Sequence, residues 1–189
     1  MRDPLPESLL LLRIRPLLQV LISDRNWVPE QFRRSVEGCN QQYLLYCDPL
    51  QRFSIACSVL APGENSAIQE YPVWGLFSVL QGTGMRRTYS DSDNRVSTNG
   101  SQRIAEGEIV FVSPSNIYIQ QISNISLHSP LITIDIFGGN IGALLRRQFD
   151  LKTGIATEIC SGYANDVLPN IWSITKELPL CGDDARKLH

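Results

Sequence analysis

Histidine is nearly absent: His128 and His189 are the only two in 189 residues. A metal centre of three histidines therefore cannot be assembled within one chain. Cysteine forms no motif either. Cys39, Cys47, Cys57, Cys160 and Cys181 are odd in number and widely spaced, with no Cys-x-x-Cys. Disulfide frameworks belong to smaller secreted chains, so reduced thiols are expected. There is no long apolar run. Leu9 to Leu12 is interrupted by Arg13, Arg15 and Pro16, too short to span a bilayer and without the core and cleavage site of a signal peptide. A cytoplasmic protein with no membrane contact is the expectation. Nor is there an excess of one charge. Lys plus Arg number 17 and Asp plus Glu 19, a net charge of −2. The pairs Arg33-Arg34, Arg86-Arg87 and Arg146-Arg147 stand apart from one another, which gives no surface for nucleic acid.

What is present suits one globular domain. Hydrophobic residues make up 43% and charged residues 19% of the chain, and its length is enough for a full core. Residues 1–40 read as an N-terminal helical layer, with Leu9, Leu10, Leu17, Leu18, Leu21 and Ile22 at helical spacing. Pro16 should start or kink a helix, and a second short helix is expected over 29–36, closed by Gly38. From Tyr43 the period changes to two. Strands are expected at 43–47, 53–61, 68–71, 76–80, 85–90, 109–112, 118–123 and 131–137, separated by turns such as Asp48-Pro49-Leu50-Gln51 and Pro62-Gly63-Glu64-Asn65. The polar stretch 91–102, with Asn99-Gly100 inside it, reads as a surface excursion between strands or a loose hairpin. Many short strands with turn signals predict an antiparallel barrel or sandwich over 41–138. A helix is expected over 141–149, then a packing tail to 175 and a loose terminus at 176–189.

The words of the sequence are more specific. Tyr43-Leu44-Leu45-Tyr46, Asp48-Pro49 and Arg52-Phe53-Ser54 are followed by Ala61-Pro62-Gly63, Trp74-Gly75-Leu76 and Val79-Leu80-Gln81-Gly82. Further on come Val112-Ser113-Pro114, Ser123-Asn124, Gly139-Asn140-Ile141-Gly142-Ala143, Arg146-Arg147, Ser161-Gly162-Tyr163 and Leu168-Pro169-Asn170-Ile171-Trp172. In order and spacing these resemble the bacterial thiol dioxygenases, the cysteine dioxygenase and 3-mercaptopropionate dioxygenase group of the cupin superfamily. The resemblance implies a cupin fold: a double-stranded β-helix, or jelly-roll barrel, with N-terminal helices and a short helix after the barrel.

It also implies an iron site and shows what replaces it. The family's His-x-His falls on Gln69 and Tyr71, and its third histidine on Gln120. Its Ser-x-His-x-Tyr strand falls on Thr133, Asp135 and Phe137. Phe137 cannot supply the tyrosine of the thioether crosslink that some members carry. Two binding positions carry over. An arginine that grips the substrate carboxylate in the mercaptopropionate branch matches Arg146, and a pocket glutamine matches Gln42.

The residues themselves set limits on the chemistry. Gln and Tyr are poor replacements for neutral imidazole toward Fe(II), so neither a metal nor another cofactor is expected. Strand alternation puts Gln69 and Tyr71 on one face and Glu70 on the other, and turns Asp135 inward if the register holds. Gln69, Tyr71, Gln120, Thr133 and Asp135 then form either a self-satisfied polar core or a pocket with altered chemistry. In the pocket, Tyr71 and Asp135 are the acid/base candidates, and Gln42, Gln69, Gln120, Thr133 and Arg146 are the binding candidates. Three functions stay open: a metal-independent enzyme acting on a small carboxylate-bearing metabolite, a non-catalytic binding protein, and a dioxygenase with a rebuilt metal site. The expected partner is a small acid or thiol, and a homo-oligomer is left open.

Overall fold

The computed structural model describes residues 6–92, 95–113, 118–166 and 168. The expected tail from Leu168 to Trp172 lies outside these apart from Leu168 itself, as does the loose terminus.

One α-helix, α1 (Glu7–Leu21), precedes the barrel and runs through Pro16. The proline faces solvent, where the carbonyl it leaves without a donor is open to water. The buried stripe is Leu11, Leu18 and Ile22, with Ile14 and Leu21 packed beside it. Leu9 and Leu17, expected on that face, are exposed. The i, i+3, i+4, i+7 pattern holds, but one residue further round the helix than the leucine-rich run suggested. The expected second helix is only a 3-10 turn over Glu30–Phe32.

Eleven strands follow within the described residues: β1 (Asn40–Cys47), β2 (Ser54–Leu60), β3 (Ile68–Tyr71), β4 (Gly75–Gln81), β5 (Thr83–Ser92), β6 (Arg95–Ala105), β7 (Ile109–Val112), β8 (Tyr118–Asn124), β9 (Leu131–Phe137), β10 (Arg146–Phe149) and β11 (Ala156–Ile159). They form two antiparallel sheets, β1-β2-β9-β4-β7 and β11-β10-β3-β8-β5-β6. Apart from the hairpins β1-β2, β5-β6 and β10-β11, neighbours in each sheet are distant in sequence, which makes the pair a jelly roll rather than a meander.

The five-stranded sheet is buried on both faces, and the alternation assigns each residue to one of them. Cys57, Val59, Leu76, Leu80, Ile132, Ile134 and Ile136 pack with α1 on the outer face. Ala56, Leu60, Phe77, Val79, Leu131 and Phe137 face the second sheet. Full burial of one such aliphatic side chain contributes about 1.5–3 kcal/mol. The inner row also carries Ser58, Thr133 and Asp135, and this polar break in an apolar row marks the cavity.

One expectation is sharpened and one fails. The polar stretch 91–102 continues the β5–β6 hairpin, paired from Thr83↔Ala105 onward with a bulge at Thr88/Tyr89. Residues 97–99 and 101–103 are exposed, so polar side chains cost nothing there. The expected helix over 141–149 is a turn after Asn140 followed by β10, which pairs with β3 through Gln148↔Gln69. Apolar residues at 141, 144, 145 and 149 mimic helical spacing. The open edge of β3 recruits the segment as a strand instead, an override of local preference by tertiary pairing.

Candidate functional site

A cavity of about 450 Å³ lies between the inner faces of the two sheets, inside the usual size range for a small-molecule site. Its walls include Gln42, Gln69, Tyr71, Thr133, Asp135 and Arg146. These are six of the seven residues singled out in the sequence. Gln120 is buried behind the wall, with its Oε1 accepting from Arg86 Nε at 2.8 Å. The structure adds Gln41, Ser58 and Tyr163. Ser58 was legible as a polar residue on the inner face of β2. Tyr163 sits in an irregular segment, where no periodicity could place it.

Strand pairing explains the convergence. Gln69 lies opposite Gln120 on β8, and Gln148 lies opposite Gln69 on β10. Arg146, two residues before Gln148, therefore shares the inner face. Glu70 and Arg147 take the outer face, where they form an ion pair at 2.6 Å.

Arg146 is 4% exposed. Its Nη2 and Nε donate to Gln69 Oε1 at 3.2 and 3.4 Å, and its Nη1 donates to the Ile141 carbonyl. Its guanidinium carbon stands 6.0 Å from the Tyr71 ring centre. All of these acceptors are neutral, and no carboxylate among the described residues forms an ion pair with it. Burial lowers its pKa, but an arginine remains cationic at any physiological pH. Beside it Tyr71 stacks on Phe137 at 5.8 Å and meets Phe77 edge-on at 5.2 Å. Burial pushes the phenol up to about 12, against the opposing pull of Arg146 and the Gln120 amide. Tyr71 is thus a neutral hydrogen-bonding phenol at physiological pH.

Asp135 is 1% exposed. Its Oδ2 accepts from Ser58 Oγ and Thr133 Oγ1, each at 2.9 Å. Burial raises its pKa to about 7, opposed by those two hydroxyls and the Ser78 amide. No cation pairs with it among the described residues. Both protonation states are therefore populated near neutral pH. The cavity thus has a fixed cation on one side, a titratable carboxyl on the other, and a phenol that senses both.

The three side chains at the positions that the thiol dioxygenase resemblance assigns to iron do not fit that ion. Gln69 and Gln120 Oε1 already accept from Arg146 and Arg86, so a cation placed there would face guanidinium groups. Tyr71 would have to ionise against its raised pKa. Among the described residues no three His, Cys, Asp or Glu side chains gather elsewhere.

No protein-family model matches the chain. Among solved structures, the chain is similar to a cupin superfamily protein from Desulfitobacterium hafniense, at 18% identity over 57% of this chain and 84% of that one, TM-score 0.44. It is similar to a cupin 2 conserved barrel domain protein from Rhodopseudomonas palustris, at 14% identity over 57% and 68%, TM-score 0.41. An oxalate oxidase in complex with the substrate analogue glycolate is similar at 16% identity over 56% and 53%, TM-score 0.44. The structure described above is a two-sheet antiparallel jelly roll. At these identities the likeness concerns architecture alone.

Proposed function

We propose that the protein is a metal-independent enzyme that binds a small carboxylate-bearing metabolite in the barrel and acts on it by proton transfer. The observation that carries this reading is Arg146, a buried guanidinium in a cavity wall whose described acceptors are all neutral. A buried cation held only by amide and carbonyl oxygens keeps most of its electrostatic capacity for an incoming anion, and a planar carboxylate matches its fork. Asp135, with a pKa of about 7, is the proton acceptor and donor across the cavity. Tyr71 donates a hydrogen bond and does not act as a base. Gln42, Gln69 and Thr133 orient the acid, and Gln120 supports Tyr71 from behind the wall. Isomerisation, elimination and cyclisation of a small acid all meet these requirements.

A second reading, a binding protein without turnover, draws on the tight hold of Ser58 and Thr133 on Asp135 Oδ2. One experiment separates the two. Short-chain mono- and dicarboxylic acids are titrated calorimetrically, and each acid that binds is incubated with the protein in D2O. Deuterium entering the acid in the wild type but not in Asp135→Asn supports the enzyme. Saturable binding with no exchange supports the binding protein, and no binding at all overturns both.

A further inference from the structure

A short segment of irregular chain, 161–165, forms one side of the cavity opening. Ser161, Gly162, Tyr163 and Ala164 line the cavity from this side, yet Ser161, Gly162 and Ala164 are exposed to solvent. The segment is tethered at two places. At the far end Ala164 N–H donates to the Gln42 carbonyl at 2.8 Å. There the Asn165 side chain also brackets Leu44, accepting from its N–H at 2.8 Å and donating to its carbonyl at 2.9 Å. At the near end Gly162 N–H donates to the Gly142 carbonyl at 2.9 Å.

The Tyr163 hydroxyl completes the near tether. It donates to Asn140 Oδ1 at 2.8 Å and accepts from Gly142 N–H at 3.0 Å. Its ring lies so close to Gly142 that a Cβ there would fall 2.4 Å from a ring carbon. Between Asn140 and Gly142 stands Ile141, whose carbonyl accepts from Arg146 Nη1. One phenol therefore grips both sides of the carbonyl that orients the buried guanidinium. Apart from the half-buried ring of Tyr163 the segment packs no apolar side chain, so opening it breaks hydrogen bonds and leaves the core intact, which suits local opening.

We infer that Tyr163 is a positioning residue for Arg146, and that it acts only while segment 161–165 lies across the cavity mouth. The segment is then a strap. When it opens to admit a ligand, Tyr163 leaves the 140–142 turn and Arg146 loses its fixed direction. When it closes, the opening is narrowed and the guanidinium is set in one motion. The inference rests on the proposed role of Arg146 as the anchor for the acid.

The test is read by nuclear magnetic resonance on the ligand-free protein, from the hydrogen exchange of Arg146 Nε–H and of the Gly142 amide. Tyr163→Phe keeps the ring and removes the hydroxyl. Both protons should exchange roughly five- to tenfold faster in it, the loss expected for one hydrogen bond, with β2 and β9 amides unchanged. Asn165→Ala releases the far tether without touching Tyr163 and should speed the same two protons. It also serves if Tyr163→Phe does not fold. An unchanged Arg146 Nε–H signal in both variants overturns the inference, even if Gly142 exchanges faster. Propionate is then added to the wild type as the carboxylate probe. If it slows Arg146 Nε–H exchange while both variants leave that proton unchanged, the anchor role stands and the strap falls. If the variants act as expected and propionate changes nothing, the positioning role stands and the carboxylate reading falls.

Discussion

Arg146 and Arg147 are neighbours on one strand and live in opposite electrostatic worlds. Arg147, on the outer face, bonds Glu70 at 2.6 Å and Asp91 at 3.1 Å and lies over the Phe149 ring. Its charge is neutralised twice where its side chain is still 35% exposed. Arg146, on the inner face, donates only to amide and carbonyl oxygens among the described residues. Burying a charge against neutral partners is costly. The outer face shows the arrangement that serves stability, and the inner face departs from it beside a cavity. This departure is what supports the binding role proposed for Arg146.

The same contrast separates two buried aspartates. Asp48 accepts from Arg52 and from two backbone amides, and these hold its carboxyl down at about 2. Asp135 accepts only from neutral groups, and burial raises it to about 7. Their contributions to stability have opposite signs. Asp48 stabilises above its unfolded pKa, and that stability is lost as pH falls from about 4 through about 2. Asp135 binds its proton in the folded state where the unfolded chain has released it. Stability therefore falls as pH rises from about 4 to about 7. Three pKa units correspond to an upper figure of about 4 kcal/mol. Asp135→Asn should match the wild type near about pH 4 and exceed it by up to that amount above about pH 7. Urea midpoints at the two pH values measure it, and equal slopes in both proteins would remove the assignment.

Arg146→Met comes next. Affinity for any carboxylate that the cavity takes should fall roughly tenfold to a hundredfold, the worth of a charge-assisted hydrogen bond. Loss of the buried charge and of donors to Gln69 and Ile141 act in opposite directions on folding. Thermal stability of the ligand-free protein should thus change by less than about 2 kcal/mol. Calorimetric titration beside a melting curve distinguishes a binding role from a structural one. A large loss of stability with unchanged affinity would make Arg146 part of the core.

Much of this was legible in the sequence, and the boundary has a physical cause. Strands 68–71 and 131–137 follow a period of two because each turns one face to the cavity side of its sheet and the other away from it. The inward turn of Gln69, Tyr71 and Asp135 follows from the same alternation. Arg146 was placed beside the pocket by resemblance, and on a helix. Only pairing of β10 with β3, a contact between residues 77 apart at Arg146 and Gln69, turns it inward on a strand. Tyr163 stood in the sequence only as part of the Ser161-Gly162-Tyr163 motif, with no pattern to aim it at the pocket, because its position depends on hydrogen bonds to a turn 21 residues earlier. Local pattern reveals which face a residue takes, and long-range closure decides what it meets.

The smallest effect sharpens the first comparison. Arg147→Met removes the outer member of the pair. Its side chain is partly solvated, so its two ion pairs are screened and each contributes about 0.2–1 kcal/mol. The guanidinium carbon stands 5.1 Å from the Phe149 ring centre; methionine gives up that cation–π contact and keeps a polarisable apolar neighbour for the ring. Glu70 and Asp91, each 17% exposed at the side chain, can rehydrate without deep rearrangement. The expected loss is about 1 kcal/mol, shrinking in molar salt, with carboxylate affinity unchanged. Double-mutant cycles with Glu70→Gln, run at low and high salt, measure it. A coupling that survives salt, or a change in ligand affinity, would mean that the two faces of β10 act as one unit. The division between a structural arginine and a functional one would then not hold.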